Sequence, residues 1–425
     1  MFLRIAAAAA LLAALLAGLP ASAAEPLTLD DAFARVDQSH PELRLITGQR
    51  DVFAAELDRA AFKPPLVIGA EVENVFGTGA ASGLSGAELT LTLASVLERG
   101  GKLDARRAVA QSRIDALSLQ RETRRLDLLA EVARRYLAVV SAKKQREIAD
   151  LDIGQRRRTV AGAQHRLQAG ASPESVVLTA EAALARAELE HARATQQEAA
   201  ARQHLAAMWG ERNPTFEAAT VDPLGLPPVA SFDELADWLS RTPEIAQLAG
   251  EQRIREARLQ LAQTQATPDL DWQVGVRRLQ ETDDVGFVAS VSMPLGTQRR
   301  AQPEIRAAET ELALLGIERE SKQLSLYSTL AEAHGRYVTA RLAVSRLGSD
   351  VIPKLTRAEA AAERAYRAGA ISYLEWAQLQ SERTSARRQQ LDAALDAHGA
   401  LIEIQRLTGQ PFVSAGPSIE QGDTP

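Results

Sequence analysis

The sequence predicts a mainly α-helical protein that also carries a transmembrane β-barrel and is built from two similar halves. Three observations lead to this fold class. Long stretches place apolar residues three and four positions apart, as amphipathic helices do. Four short segments alternate apolar and polar residues, as β-strands do. Corresponding phrases recur about 200 residues apart, for example around Gly170 and Gly369, which indicates a duplicated unit.

The helical stretches are long and have narrow apolar seams. The stretch from 102 to 168 would extend roughly 100 Å at about 1.5 Å per residue. Spacing of this kind is typical of coiled coils rather than of a compact globular core. The seam of this stretch includes Leu126, Leu129, Val132, Tyr136 and Val140. The other helices are expected at 28–62, 173–208, 231–266, 298–367 and 373–407.

Each half also contains a pair of period-two segments, at about 67–76 and 87–97 in the first half and about 270–279 and 286–295 in the second. Strands of about ten residues with one apolar and one polar face have the length and pattern of membrane β-strands. Four strands cannot close a barrel, so a membrane barrel would need several chains. A soluble antiparallel sheet packed on the helices would show the same alternation and stays open as an alternative.

The repeats and the termini predict four parts. Residues 1–24 have one early positive charge, an apolar run and a small-residue cleavage pattern, as a secretory signal peptide does. The first repeat is expected at 25–227 and the second at 228–410, with hairpin tips at about 169–173 and 368–372. Residues 411–425 are expected to form a flexible C-terminal tail.

Composition excludes several functions. The chain has no cysteine, which excludes disulfides, thiolate metal sites and a lipid-modified cysteine, so we expect no lipidation. Its formal net charge of −6 argues against nucleic acid as a partner. The six histidines are scattered and show no metal-ligand spacing. We find no nucleophile–base constellation, and we expect neither enzymatic activity nor a cofactor.

The two glycine-containing interruptions predict tight helical hairpins. Gly170 and Gly369 fit the position after a helix end, where the left-handed conformation favours glycine. Ser172 is expected to cap the next helix with Pro173 at its first position, and Ser372 to cap the corresponding helix of the second half. Each hairpin would reverse a long helical rod. A simple reversal without any binding role is the alternative to a functional tip.

Taken together, these phrases resemble the TolC family of outer-membrane efflux channels over essentially the whole mature chain. The resemblance rests on the helix–hairpin–helix duplication, the "PEL" and "PEI" openings at 41–43 and 243–245, and the two "AGA" turns. It is closest to the branch that serves heavy-metal efflux pumps of the cobalt–zinc–cadmium type. The resemblance to this branch rests on Glu71–Asn74, Ala87–Leu93 and Leu97–Lys102. At the position of Arg99 the branch more often has a leucine.

The resemblance implies an assembly and a location. It implies a homotrimer in the outer membrane of a Gram-negative bacterium. Each chain would give four strands to a twelve-stranded barrel in contact with lipid, and the helices would form a periplasmic tunnel. The partners would be a periplasmic adaptor and a proton-driven inner-membrane transporter. Heavy-metal cations are the expected cargo. The alternatives are a drug-efflux or type I secretion channel of the same fold, or a soluble periplasmic coiled-coil scaffold.

The resemblance also implies site residues. In the family the hairpin tips meet the adaptor, which assigns this contact to Arg166, Leu167, Gly170, Ser172, Tyr366, Gly369 and Ser372. An acidic residue often faces the pore just inside the second tip, and Glu375 is the candidate for such a carboxylate ring at the aperture. Ser372 and Glu375 also have the spacing of a capping box, so both interpretations of Glu375 stay open.

Overall fold

The computed structural model describes residues 26–219 and 221–412. The predicted signal peptide at 1–24 therefore lies outside the described residues, as do residues 413–425 of the predicted tail. The first half consists of α1 (Leu29–Ser39), α2 (Pro41–Ala60), β1 (Val67–Glu73), β2 (Glu88–Leu97), α3 (Lys102–Gln168) and α4 (Glu174–Ala206).

The second half repeats this order. It consists of α5 (Phe232–Leu239), α6 (Pro243–Thr264), β3 (Leu270–Leu279), β4 (Asp284–Ser292), α7 (Thr297–Arg346), α8 (Ile352–Arg367) and α9 (Tyr373–Thr408). A π-helical turn, Leu347–Val351, joins α7 to α8. The predicted fold class, a duplicated helix–hairpin–helix chain with four strands, is confirmed.

Helix α3 is the central rod of the chain. It has 67 residues and packs against α2, α4, α6 and α9. Helix α9 also packs against α7 and α8. None of the helices within 26–219 and 221–412 is both long and apolar enough to cross a membrane.

The four strands form one antiparallel sheet in the order β1-β2-β3-β4. Thr92 at the middle of β2 pairs with Gly69 of β1 and with Gly275 of β3. A Cβ at Gly275 would lie 2.5 Å from the carbonyl oxygen of Leu91, so this position requires glycine. The β2–β3 pairing joins the two halves of the chain.

The register places most charged and hydroxyl side chains on one face of the sheet and most large apolar side chains on the other, because directly paired residues point to the same side. One face carries acids, hydroxyls and Arg277, and it is called the polar face below. The opposite, apolar face includes Ile68, Val72, Leu89, Leu91, Trp272, Val274, Val276, Phe287 and Val291.

Two corresponding tyrosines fix the long helices to the segments that precede α1 and α5. The Tyr136 hydroxyl donates to the backbone carbonyl of Leu27 at 3.1 Å, and the Tyr337 hydroxyl donates to the carbonyl of Pro227. Each tyrosine lies in the buried apolar cluster of its own half. The duplication is therefore visible in single hydrogen bonds as well as in the order of elements.

Both stretches predicted as single helices before the strands are interrupted. The stretch 28–62 ends one helix at Ser39 and begins another at Pro41, and 231–266 is divided in the same way before Pro243. In each case a proline occupies the first turn of the new helix, where its missing N–H costs no hydrogen bond. The extended residues before the two prolines, His40 and Thr242, separate the helices.

The predicted helix 298–367 is interrupted by the π-helical turn. Pro353 follows this turn and has no N–H to donate to a carbonyl one turn earlier, so a regular helix cannot continue through it. At this turn the Gln390 side chain of α9 donates to the backbone carbonyl of Val344 at 3.2 Å. The corresponding part of α3 is an unbroken α-helix, so the two halves differ here.

Candidate functional site

The polar face of the sheet is one region that can carry function, and Arg277 lies at its centre. The guanidinium contacts Glu73 at 3.0 Å and Glu88 at 2.9 Å, and its Nε donates to the Thr90 hydroxyl at 2.9 Å. Glu88 also accepts a hydrogen bond from the Asn74 side-chain amide at 2.9 Å. Arg277 belongs to the second half and its partners belong to the first, so no local pattern in the sequence indicates this cluster.

The apolar face of the sheet is exposed in the single chain. Phe287 is 93% exposed and Ile68 is 82% exposed, and most of the other large apolar side chains on this face are also exposed, whereas Trp272 is half-buried. A contiguous exposed apolar surface of this kind marks a membrane or protein contact. It has the alternation that places one face of a barrel strand in lipid.

The junction between the sheet and the helices is fixed by Gly100, Gly101 and Lys102. Gly100 and Gly101 both adopt left-handed backbone conformations, with φ of 73° and 76°. The chain can then turn from β2 into α3 and place Lys102 against Asp269, with 2.7 Å between ammonium nitrogen and carboxylate oxygen. Lys102 is buried, and this contact joins the junctions of the two halves.

The two hairpin tips have the same backbone hydrogen bonds. The amide of Gly170 donates to the Leu167 carbonyl at 2.9 Å, and that of Ala171 to the Arg166 carbonyl at 2.8 Å. Gly369 and Ala370 make the equivalent pair of bonds in the second tip. The φ angles of Gly170 and Gly369 are 68° and 79°, so both glycines adopt the predicted left-handed conformation, and the hydrogen bonds around them form Schellman motifs.

The prediction that Ser172 caps α4 is wrong. Pro173 is the N-cap residue, no side chain caps the helix, and α4 begins at Glu174. Both tips have the same length from glycine to N-cap, and Pro173 therefore occupies the position that Ser372 has in the second tip. There Ser372 accepts a hydrogen bond from the Glu375 amide at 3.3 Å, which confirms the prediction that it caps α9.

Arg166 links the two tips to each other. Its guanidinium donates to the backbone carbonyl of Tyr366 and, at 3.3 Å, to that of Ala171 in its own tip. The same group lies over the Tyr366 ring, 4.7 Å from the centroid. Cation–π contact and hydrogen bonds together hold the first hairpin against the second.

The residues expected at the tips differ in exposure. Four of them, Leu167, Gly170, Gly369 and Ser372, are exposed, and Arg166 and Ser172 are partly exposed. Tyr366 is only 3% exposed, because it packs against Tyr373, Trp376 and Arg166, so its side chain is not available to a partner in this conformation. Leu374, which the sequence analysis did not single out, is 69% exposed beside the second tip.

Glu375 closes a capping box with Ser372. One carboxylate oxygen accepts from the Ser372 amide at 2.8 Å and from its hydroxyl at 3.0 Å. These hydrogen bonds favour the charged form and lower the pKa of Glu375 below its ordinary value. The carboxylate is therefore ionised near neutral pH and lies on an exposed part of the tip.

A buried polar layer lies above the tips, where α3, α8 and α9 meet. The Arg383 guanidinium contacts the Glu359 carboxylate at 2.6 Å, and the Thr159 hydroxyl accepts from the Gln380 amide at 3.0 Å. Burial raises the pKa of Glu359 and lowers that of Arg383, because desolvation disfavours both charged forms. This layer fixes the second hairpin to the central rod.

The outer edges of the helical layer expose apolar side chains. On α7 they lie on the face opposite the buried one, and they are Leu314, Ile317, Leu324, Val338 and Leu342. On the other edge of the chain, α2 exposes Leu45 and Val52, which are two turns apart.

Within 26–219 and 221–412, no three side chains of His, Asp or Glu come together as a metal site.

Long antiparallel helices that continue into an amphipathic sheet with two open edges define a class of protein, the channel-forming proteins of outer membranes. The family model for outer membrane efflux proteins matches residues 26–211 and again 235–410, once in each half. The chain belongs to this family, whose members are efflux channels of the outer membrane and not enzymes. They work in tripartite pumps with an adaptor and an inner-membrane transporter.

Individual relatives agree with this assignment. The chain is 25% identical to the cobalt-zinc-cadmium resistance protein CzcC of Cupriavidus metallidurans over 92% of both chains. The crystal structure of CusC, described as a transmembrane channel, has a TM-score of 0.74 at 18% identity, with 89% of this chain and 91% of that chain covered. The outer membrane protein VceC of Vibrio cholerae has a TM-score of 0.73 at 16% identity, with 91% and 97% covered.

Proposed function

We propose that three copies of this chain form one continuous channel from the periplasm through the outer membrane. The main support for this proposal is the four-stranded sheet, which has an exposed apolar face, a charged opposite face and unpaired edges at β1 and β4. An open sheet edge is not stable in lipid, because its backbone groups would lack hydrogen-bond partners. Pairing β4 of one copy with β1 of the next would close twelve strands around a polar lumen.

The helical edges support the same arrangement. The apolar stripe on α7 lies on one side of the chain and the exposed apolar residues of α2 lie on the other. A head-to-tail interface would bring these two edges together, and such interfaces close into rings. The helices below the membrane would then surround a tunnel that continues the barrel.

The proposed cargo is heavy-metal cations. The support is the relative named for cobalt, zinc and cadmium resistance, which covers nearly the whole chain. Drug efflux and type I secretion use the same fold and are the alternative functions.

Deleting the gene should sensitise cells to zinc, cobalt or cadmium. Unchanged metal tolerance together with a strong drug phenotype would assign the protein to drug efflux instead.

The hairpin tips are the proposed contact with the periplasmic adaptor, which would in turn join a proton-driven inner-membrane transporter. The exposed parts of this surface are Leu167, Gly170, Gly369 and Ser372, with Leu374 beside them. Three copies of Glu375 would form a ring of ionised carboxylates at the aperture. Such a ring attracts cations.

Purified protein in planar lipid bilayers provides the direct test of the channel. We expect a trimer in detergent and discrete conductance steps that favour cations after reconstitution. Recovery of the protein as a soluble periplasmic monomer, with no conductance, would contradict the channel and support the scaffold alternative.

A further inference from the structure

The polar face of the sheet has a single base among its acids. Of the strand residues that the structure describes on this face, five are acidic and Arg277 alone is basic. The acids are Glu71, Glu73, Glu88, Asp271 and Asp284. The position of this one positive charge is therefore the feature that sets the charge pattern of the face.

The Arg277 side chain is held from three directions. Its Nη2 contacts Glu73, its Nη1 contacts Glu88, and its Nε donates to Thr90. Thr90 is buried, and its hydroxyl fixes the Nε end of the guanidinium. Both carboxylates, in contrast, are partly exposed to solvent. The cationic group thus lies between two carboxylates at hydrogen-bond distance from each.

This position is the one that a free divalent cation would take. Hard and borderline cations bind carboxylate oxygens, and two carboxylates with a neighbouring hydroxyl would offer three oxygen ligands. With Arg277 in place, both carboxylates already have a counter-charge and hydrogen-bond donors. A second cation would have to displace the guanidinium or accept its repulsion at a few ångströms.

We propose that Arg277 is a tethered counter-cation that keeps the outer part of the pore from binding the metal cations that pass through it. The proposal rests on the proposed function, in which the polar face lines the lumen and the trimer carries three copies of the cluster. The remaining acids keep the lumen attractive to cations, while the arginine prevents them from being held. Without it, the exit of the channel becomes a binding site.

The absence of cysteine from the chain allows a charge exchange on the assembled channel. The variant Arg277→Cys is assembled, purified and then modified with either a neutral methyl or a positively charged trimethylammonium-ethyl thiosulfonate. Mass measurement verifies complete modification. Single-channel currents are recorded while Zn²⁺ is added from the outer side. Arg278→Cys, modified in the same two ways, is the matched control, because it lies next in sequence on the opposite face.

We expect Zn²⁺ to block the neutral form of Arg277→Cys at a concentration lower by about tenfold or more than the charged form, since one positive charge beside two carboxylates is removed. The charged form should behave like the wild type, and the two forms of Arg278→Cys should not differ. Equal Zn²⁺ sensitivity of the two Arg277→Cys forms overturns the proposal. A wild type that does not conduct at all would instead contradict the channel itself.

A second variant covers the case in which Arg277→Cys does not assemble. In Glu73→Gln with Glu88→Gln, Arg277 keeps its charge and loses its counter-ions. The preference of the channel for cations over anions should then fall in reversal-potential measurements. Unchanged selectivity would show that the charges of this cluster do not act on passing ions, which also overturns the proposal.

Discussion

Single charged side chains link the two halves of the chain at three levels. Arg166 joins the hairpin tips, Lys102 with Asp269 joins the strand–helix junctions, and Arg277 joins β3 to β2. Each link connects residues that are far apart in sequence but lie at the same level along the length of the molecule. The two halves are therefore held in register at the tip, at the junction and in the sheet.

At the same scale, His398 predicts a pH dependence of stability. Its Nε2 contacts the carbonyl of Pro223 at 2.9 Å, and burial lowers its pKa below the ordinary value of 6.5, against the smaller opposing effects of that hydrogen bond and of Asp222. The unfolded chain then binds the proton more readily. The contribution of neutral His398 to the free energy of unfolding should be fully present above pH 6.5. It should be lost as the pH decreases through the lower, folded-state pKa.

The measurement is the thermal midpoint of the purified protein between pH 7.5 and 5. His398→Gln keeps a donor for the Pro223 carbonyl but cannot titrate, so its midpoint should decrease less over this range. Part of the slope should remain, because burial lowers the pKa of His40 as well. Identical slopes in the wild type and the variant would exclude His398 as the source.

Glu375 allows its two proposed roles to be separated. Glu375→Gln keeps an acceptor for the Ser372 amide and removes the charge, whereas Ser372→Ala removes the hydroxyl of the cap and keeps the charge. Loss of a serine cap costs about 1 kcal/mol. If Glu375 belongs to a carboxylate ring, only Glu375→Gln should lower cation selectivity in bilayer recordings. Selectivity that is unchanged in Glu375→Gln would leave capping as its role.

At the scale of the elements, the hairpin tips predict a specific requirement for glycine. Gly170 and Gly369 have positive φ and no neighbouring atom within ordinary contact of an added Cβ except the Arg166 guanidinium at 3.9 Å from Gly369. Gly170→Ala or Gly369→Ala should therefore destabilise by about 1–2 kcal/mol through backbone strain alone. The matched control is Gly162→Ala, in the same helix as the first tip.

Gly162 lies within α3 in a regular helical conformation and has equally open surroundings. Alanine there should stabilise the helix by about 0.4–1 kcal/mol. Thermal unfolding should consequently shift in opposite directions for the tip and the control. A shift of the same sign in Gly170→Ala and Gly162→Ala would show that the left-handed conformation does not limit the tip.

The elements that the sequence predicts best are those whose signal is local. Apolar spacing revealed the long helices, alternation revealed the strands, and Gly170 and Gly369 revealed the tips. The π-helical turn before Pro353 was missed because the same apolar spacing continues on both sides of it. Ser172 was assigned as a cap from its residue type, although the length of the tip places Pro173 there.

The parts of the candidate site that could not be predicted depend on contacts between distant segments. Arg166 was expected at the tip, but its contact with Tyr366 arises only when the two hairpins pack together. The cluster around Arg277 and the pair of Lys102 with Asp269 likewise depend on the β2–β3 pairing. Sequence periodicity describes one segment at a time and carries no information about such pairs.

At the scale of the whole molecule, the α7 stripe predicts that self-association can be disrupted without unfolding the chain. Leu324 is 65% exposed on the side of α7 opposite its buried face. Leu324→Lys should weaken the trimer, since the burial of a leucine side chain contributes about 1.5–3 kcal/mol per copy. Ser325→Lys, the neighbouring exposed position on the flank of the stripe, is the control.

Light scattering of the detergent-solubilised protein measures the oligomeric state of both variants. Leu324→Lys should contain monomers at concentrations where the wild type and Ser325→Lys remain trimeric, and its helix content should be unchanged. A stable trimer with Leu324→Lys would place the interface elsewhere on the chain.

The pairing of β2 with β3 has a consequence for how the protein is made. Thr90 and Arg277, which meet across this pairing, are 187 residues apart in the chain. When the first half leaves the ribosome and crosses the inner membrane, β2 has an unpaired edge and no lipid around its apolar face, a state prone to aggregation. The sheet can form only after the second half has arrived. Although the chain consists of two similar halves, its four-stranded sheet is therefore completed in one late folding step that needs both of them.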